Sequence, residues 1–206
     1  MPLAQTMRNC SESELHYAAD SVIHYATEFE QAATANDPPS VAHTIHMLVD
    51  ESMTRNAKAP IQADVKCRRG CNACCHLHVD VYENEAALLV MAIDDGLAID
   101  RERLARQAGK TLETWAELSP SDRRCVFNDA AGDCTVYEYR PVACRKYQVV
   151  TPPEHCDATT HPGHEVGALS VAQAEIFDSA AMLVFRSGPL AAMMSERLER
   201  RAKITR

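Results

Sequence analysis

Four thiols crowd into nine residues of this chain, in the stretch Cys67-Arg-Arg-Gly-Cys71-Asn-Ala-Cys74-Cys75. Thiolate is a soft ligand that selects zinc or iron–sulfur clusters over oxygen-loving cations. Sulfurs on one tetrahedral zinc lie ~2.3 Å from the metal, so ligands must meet within about 4 Å of one another. Gly70 supplies the tight backbone that this needs, and Cys67, Cys71 and Cys74 can share a centre. Cys75 is harder to place. Adjacent side chains on extended backbone point to opposite sides, and a disulfide between neighbours would be strained. Cys75 is therefore expected to lie outside the primary shell, serving a second metal or simply buried. A solitary cysteine such as Cys10 reads as a small apolar side chain.

A second stretch, residues 125–156, holds Cys125, Cys134, Cys144 and Cys156 among the turn markers Gly132 and Pro141. Cys125 to Cys134 reads as a hairpin or knuckle closed around Gly132, continued through a turn at Pro141 to Cys144. Two cysteine-bearing loops separated by helices need a common centre. The expected metal ligands are thus Cys67, Cys71, Cys74, Cys75, Cys125, Cys134, Cys144 and Cys156, and the two stretches should meet in space. Arg68, Arg69, Arg140 and Arg145 stand near thiols in sequence. Cations there would favour thiolate and offset the charge of the site, with solvated surface arginines the equal alternative. His76 and His78 directly follow the first loop and could complete a mixed shell, although the thiols suffice. His155, His161 and His164 surround Cys156 at a spacing compatible with a second metal site, but a polar surface loop is the preferred reading. His43 and His46, one helical turn apart, match no metalloenzyme pattern and read as ordinary helix residues.

Taken together, Gly-Cys-x-x-Cys-Cys behind a further cysteine, then Cys-x-Phe and Gly-x-Cys-x-x-Tyr-x-x-Arg-Pro-x-x-Cys-Arg, resembles the YkgJ-type cysteine-cluster proteins. These are described as the CxxCxxCC zinc- or iron-chelating family. The resemblance spans about residues 67–147. It implies that Cys67, Cys71, Cys74, Cys75, Cys125, Cys134 and Cys144 occupy the family's cysteine positions, with Tyr137, Arg140, Pro141 and Arg145 at its accompanying positions. Three residues separate Cys67 from Cys71 where the family name implies two. A longer relative, the flagellin lysine methylase, resembles this chain in its cysteine region and is associated with an iron–sulfur cluster, but this chain is much shorter than that enzyme. The spacing Cys67-x3-Cys71-x2-Cys74 is also similar to the cluster signature of radical S-adenosylmethionine enzymes. Here, however, Ala73 replaces an aromatic residue and no alternating strand–helix pattern follows.

Helices must position these loops. Leu15, Ala18, Val22, Ile23, Ala26 and Phe29 recur at three- and four-residue steps behind the capping box Ser11-x-x-Glu14, predicting a helix to Ala35. Asp37-Pro38-Pro39 stops it. Ser40 can cap a second helix with Val41, Ile45, Leu48 and Val49 inside, ending before Pro60. The alternating stretch Leu77–Tyr82 precedes two helical patterns, Asn84–Asp95 ending near Gly96, and Asp100–Leu118 capped by Asp100. From Ser170, Val171, Ile176, Ala180, Leu183, Leu190, Met193 and Leu198 predict helix interrupted at Gly188-Pro189. The expected fold is mainly α: one domain over 1–206 with little sheet, a helical hairpin at 11–58, a cysteine-cluster region at about 67–156 and a helical segment at 170–204.

Composition narrows the function. Lys and Arg total 21 against 29 Asp and Glu, a net charge of −8 with scattered basic residues, so nucleic acid is a poor partner. The polar opening MPLAQTMRNCSESEL lacks the apolar run of a secretory signal, and no stretch approaches ~18 apolar residues. The expected location is cytoplasmic, off the membrane. There, nine cysteines point to metal or redox chemistry rather than disulfides, and an odd count argues against complete pairing. No phosphate loop, nucleophile elbow or dinucleotide fingerprint appears. The leading expectation is a metal-binding module holding an iron–sulfur cluster or Zn2+, with a lean towards iron–sulfur and room for a protein partner. The alternative is an iron–sulfur enzyme of redox or methyl-transfer type.

Overall fold

The computed structural model describes residues 10–56 and 64–204, and the predicted helix end before Pro60 lies outside them. The first predicted helix forms as α1, Glu12–Ala35. The Ser11 side chain accepts from the Glu14 amide, and Glu14 Oε2 accepts from the Ser11 amide at 2.7 Å. Ala18, Val22 and Phe29 are buried, but Leu15 and Ile23 are 40% and 62% exposed. The buried stripe is narrower than the apolar one because the helix packs chiefly against a single neighbour, α7 (Ala172–Val184).

Helix α2 spans Pro38–Asn56 and buries Val41, Ile45 and Val49, with Leu48 half-buried. Asp37, rather than Ser40, caps it. Asp37 Oδ1 accepts from the Ser40 amide at 3.1 Å and the Ser40 hydroxyl donates to Oδ2 at 2.7 Å. Pro38 and Pro39 fit the first turn, where a missing N–H costs nothing.

Strand β1, Asp80–Tyr82, pairs antiparallel with β2, Ser187–Pro189, Val81 facing Gly188. The predicted break at Gly188-Pro189 is thus a sheet edge. Helix α3, Glu83–Asp94, follows β1 directly, and Gly96 leaves it at φ +99°. The predicted Asp100–Leu118 helix is shorter: α4 covers Arg101–Gln107. Asp100 caps it through the Arg103 amide at 2.8 Å. The Gln107 amide then donates to the Asp122 and Arg124 carbonyls at 2.6 and 2.7 Å, tying the chain down where periodicity alone would carry the helix on. Short helix α5 (Pro120–Arg123) precedes the second cysteine stretch and α6 (Val142–Lys146) lies within it, carrying Cys144, while α8 spans Leu190–Ile204.

Among the described residues the fold is mainly helical with a two-stranded sheet, and no helix is long and apolar enough to cross a membrane. Its apolar side chains fall into two groups. One joins α1, α2 and α7 with Tyr82 and Val142. The other joins β1, α3, α4 and α8 to Val126, Phe127 and Val136. The second cysteine stretch is therefore seated on one group by Val126 and Phe127 and on the other by Val142 at the start of α6.

Candidate metal centre

Reverse turns shape the first loop. Gly70 adopts φ +83°, the left-handed region that a side chain resists. The Cys71 amide donates to Arg68 O, the Cys75 amide to Asn72 O and the Leu77 amide to Cys74 O, each at 3.0 Å. The second loop is the predicted knuckle. Asn128 and Cys134 form an antiparallel bridge, the Thr135 amide donates to Phe127 O at 2.9 Å, and Gly132 turns the chain at φ +89°. Helix α4 anchors it: Val126 O accepts from the Asp100 amide at 2.8 Å and Cys125 O from Arg103 Nη1 at 3.0 Å.

The two stretches meet, as their sequences predict. The Cys125 amide donates to Cys75 O at 2.5 Å, and Asn72 Nδ2 donates to Gly132 O at 2.9 Å. Beyond Cys144 the chain returns to the first loop, where the Lys66 amide reaches Val149 O at 2.8 Å and the Val149 amide donates to Cys67 Sγ at 3.3 Å. An alanine methyl at Gly132 would lie 2.2 Å from Asn72 Nδ2 and 2.9 Å from Arg124 Nη2. Gly132→Ala is therefore expected to cost about 1–2 kcal/mol from the backbone conformation alone, and more once Asn72 is displaced. A denaturant midpoint unchanged from the native protein would refute this junction.

All nine cysteines are free thiols, and electrostatics sorts eight of them. Burial pushes the Cys125 and Cys144 thiols up, Cys144 to about 12, and charge on Cys75 and Cys134 adds to both shifts. Burial raises Cys134 too, with Cys75 contributing. On the other side burial pushes Cys156 up to about 11, reinforced by Cys67 and Cys71. Cys74 sits at the join. It is raised first by donating its proton towards Cys75, then by burial, and it also feels Cys144 and Cys156. Cys75 alone is lowered, because that shared proton, the Asn128 amide and the cations of Arg124 and Arg140 outweigh burial. These influences link Cys67, Cys71 and Cys156 with one another and Cys75, Cys125, Cys134 and Cys144 with one another, while Cys74 feels both sets. Contrary to the extended-backbone expectation, Cys75 does not turn away from Cys74: in this turn the two thiols share a hydrogen bond, and Cys75 also faces the cysteines of the second loop. Cys10 stands half-buried at the start of α1.

Of the arginines read from the sequence, Arg140 favours thiolate at Cys67, Cys75, Cys134 and Cys144 and lies with its guanidinium 3.7 Å from the Tyr137 ring centre. Arg69 acts on Cys134, lies with its guanidinium 4.7 Å from the same ring centre and pairs with Glu138 at 2.6 Å. Arg145 is structural, buried against Asp50 and the carbonyls of Glu138 and Arg140. Arg124 was not singled out, although it directly precedes Cys125. Asn128 and Tyr147 were also missed. Asn128 faces Cys75 through the hairpin, and the charges of Cys156, Cys74 and Cys67 add to the burial that raises Tyr147 to about 12.

His76 uses Nε2 to accept from the Ala158 amide at 3.2 Å, which leaves that nitrogen no lone pair for a metal. His78 packs edge-on against Trp115. His46 is no ordinary surface helix residue: it is 2% exposed, with Nε2 2.8 Å from Glu85 Oε1. As the side chains stand, no three His, Cys, Asp or Glu among the described residues are arranged to hold an ion. The donor set nonetheless suits a soft metal: eight reduced thiols on two loops, amide and guanidinium partners, and a folded backbone holding both loops together. Closing a shell requires these thiols to lose protons and turn inward together.

No curated protein and no solved structure matches the chain. The family model CxxCxxCC, described as a "Putative zinc- or iron-chelating domain", matches residues 66–165, which begin one residue before Cys67 and extend past Cys156 and its histidines. This segment, just under half of the chain, carries both cysteine loops and matches the CxxCxxCC family, the one that the sequence resembles.

Proposed function

We propose that the protein is a metal-binding module whose two cysteine loops hold zinc or iron–sulfur as thiolate complexes, one four-thiol group on each side of the Cys74–Cys75 peptide. The observation that carries this reading is the meeting of the two cysteine loops, where the Cys125 amide donates to Cys75 O at 2.5 Å, since together they carry eight free thiols, enough for two sets of four about the Cys74–Cys75 peptide. Four thiolates complete a structural zinc shell or ligate one iron–sulfur cluster. A bound zinc would supply a redox-inert cross-link, and a cluster a one-electron couple. Within the protein, the Cys75 sulfur would anchor the second-loop group while Cys74 anchors the first. Arg124, Arg140 and Arg69 would offset the negative charge, and the Val149 amide would hold Cys67 Sγ in place.

Elemental analysis with acid-labile sulfide on anaerobically purified protein distinguishes zinc from a cluster. Cys75→Ala tests the grouping. It is expected to remove about half of the bound metal, because three thiolates hold an ion far more weakly than four, whereas Cys10→Ala should remove none. Full metal content in Cys75→Ala would exclude Cys75 from the shell and overturn the two-group arrangement.

A further inference from the structure

We propose that His155, His161 and His164 form a second metal site, an imidazole site for a divalent ion of borderline softness such as Zn2+, Co2+ or Ni2+, separate from the thiols. The sequence places these histidines on a ten-residue loop, and the fold gathers them. The 3-10 turn Pro153–Cys156 presents His155 beside buried Cys156. The His161 amide donates to Asp157 O at 2.8 Å, which curls the chain back, and Gly163 reverses it at φ +82° directly before His164. The His155 and His164 ring centres are then 4.5 Å apart, and those of His161 and His164 are 5.6 Å apart.

These separations bracket what one ion requires. With each nitrogen ~2 Å from a tetrahedral metal, the centres of two coordinating imidazole rings stand ~5 Å apart. His155 and His161 are half-buried and His164 exposed, so an ion can reach them from solvent. The His161 Nδ1 lies 2.9 Å from Thr160 Oγ1. In the tautomer that donates from Nδ1 to this oxygen, Nε2 keeps its lone pair for metal, which is the way a ligating histidine is commonly oriented by its other nitrogen. The ring planes stand at 69° and 80°, edge to face, so the donor nitrogens do not yet converge. The terminal ring torsions are broad, so binding an ion can turn the rings to bring these nitrogens inward. Imidazole donors without thiolate favour exchangeable binding of zinc, cobalt or nickel ions over iron–sulfur assembly.

The test is an anaerobic Co2+ titration of the full-length protein, compared with the triple variant His155→Ala/His161→Ala/His164→Ala. The native protein should take up one equivalent whose ligand-field bands appear without thiolate-to-cobalt charge transfer. The triple variant should lose that equivalent while keeping its thiol-bound metal and its circular dichroism. His164→Ala alone should weaken it by on the order of tenfold or more. Retention of this equivalent by the triple variant overturns the site, as does cobalt binding seen only with thiolate charge transfer. Loss of charge transfer in Cys75→Ala concerns the thiol groups alone, so failure of either reading is visible separately.

Discussion

Complete removal of metal is expected to melt the middle of the chain and lower the transition temperature sharply. Residues 66–78 and 125–168 contain only brief helices, turns and isolated bridges, held by a few apolar anchors such as Val126, Phe127 and Val142 and by hydrogen bonds between the cysteine loops. Such segments carry little stability of their own, whereas a structural thiolate site contributes on the order of 10 kcal/mol. Helices α1, α2 and α7 share an apolar group that does not include the cysteines, so much of the helical signal should survive while the middle loosens. Circular dichroism and calorimetry before and after exhaustive chelation measure both effects. An unchanged melting temperature would rule out a structural role for the metal.

Glu85→Ala is expected to cost several kcal/mol, since three buried donors lose their acceptor at about 1–3 kcal/mol each. The carboxylate is buried, yet every contact it makes ties elements together. Oε1 accepts from His46 Nε2 at 2.8 Å and from the Val142 amide at 2.7 Å, and Oε2 accepts from the Tyr82 amide at 2.9 Å. One side chain of α3 thus fastens α2, the end of β1 and the first residue of α6, the helix that carries Cys144. His46 adds a pH dependence. Burial holds its imidazole below the usual 6.5, outweighing the pull of Glu85. The unfolded chain therefore binds the proton first. Stability should be complete above pH ~6.5 and fall as the pH drops through that value towards the lower folded one, by at most about 1.4 kcal/mol per pH unit. Denaturation between pH 5 and 8 should show this slope in the native protein and lose it in His46→Gln. An equal slope in both would remove His46 as its source.

Much of this architecture is legible locally. Ser11-x-x-Glu14, the three- and four-residue apolar spacing and Gly96 mark helix ends because caps and amphipathic faces are properties of neighbouring residues. Gly70 and Gly132 mark turns for the same reason, since both adopt conformations that other residues resist. The crowding of Cys67 to Cys75 and the knuckle around Gly132 announce the chemistry without any knowledge of packing.

What lies beyond local reach is decided by partners distant in the chain. Leu15 and Ile23 belong to the apolar stripe of α1 but face solvent, because only a second neighbour could cover them. Helix α4 stops at Gln107 because its amide finds carbonyls on residues 122 and 124. His46 reads as an ordinary helix residue until Glu85, thirty-nine positions away, is brought against it. Most consequential is Cys75. Sequence geometry turns it away from Cys74, yet the two thiols share a hydrogen bond, because the chain turns at this peptide instead of running extended, and the approach of Cys125, Cys134 and Cys144 depends on how α3, α4 and α6 pack. The residue types determined that thiols would do the chemistry. Burial of two apolar groups, on which the second loop is seated, decided that the two thiol-bearing loops stand together.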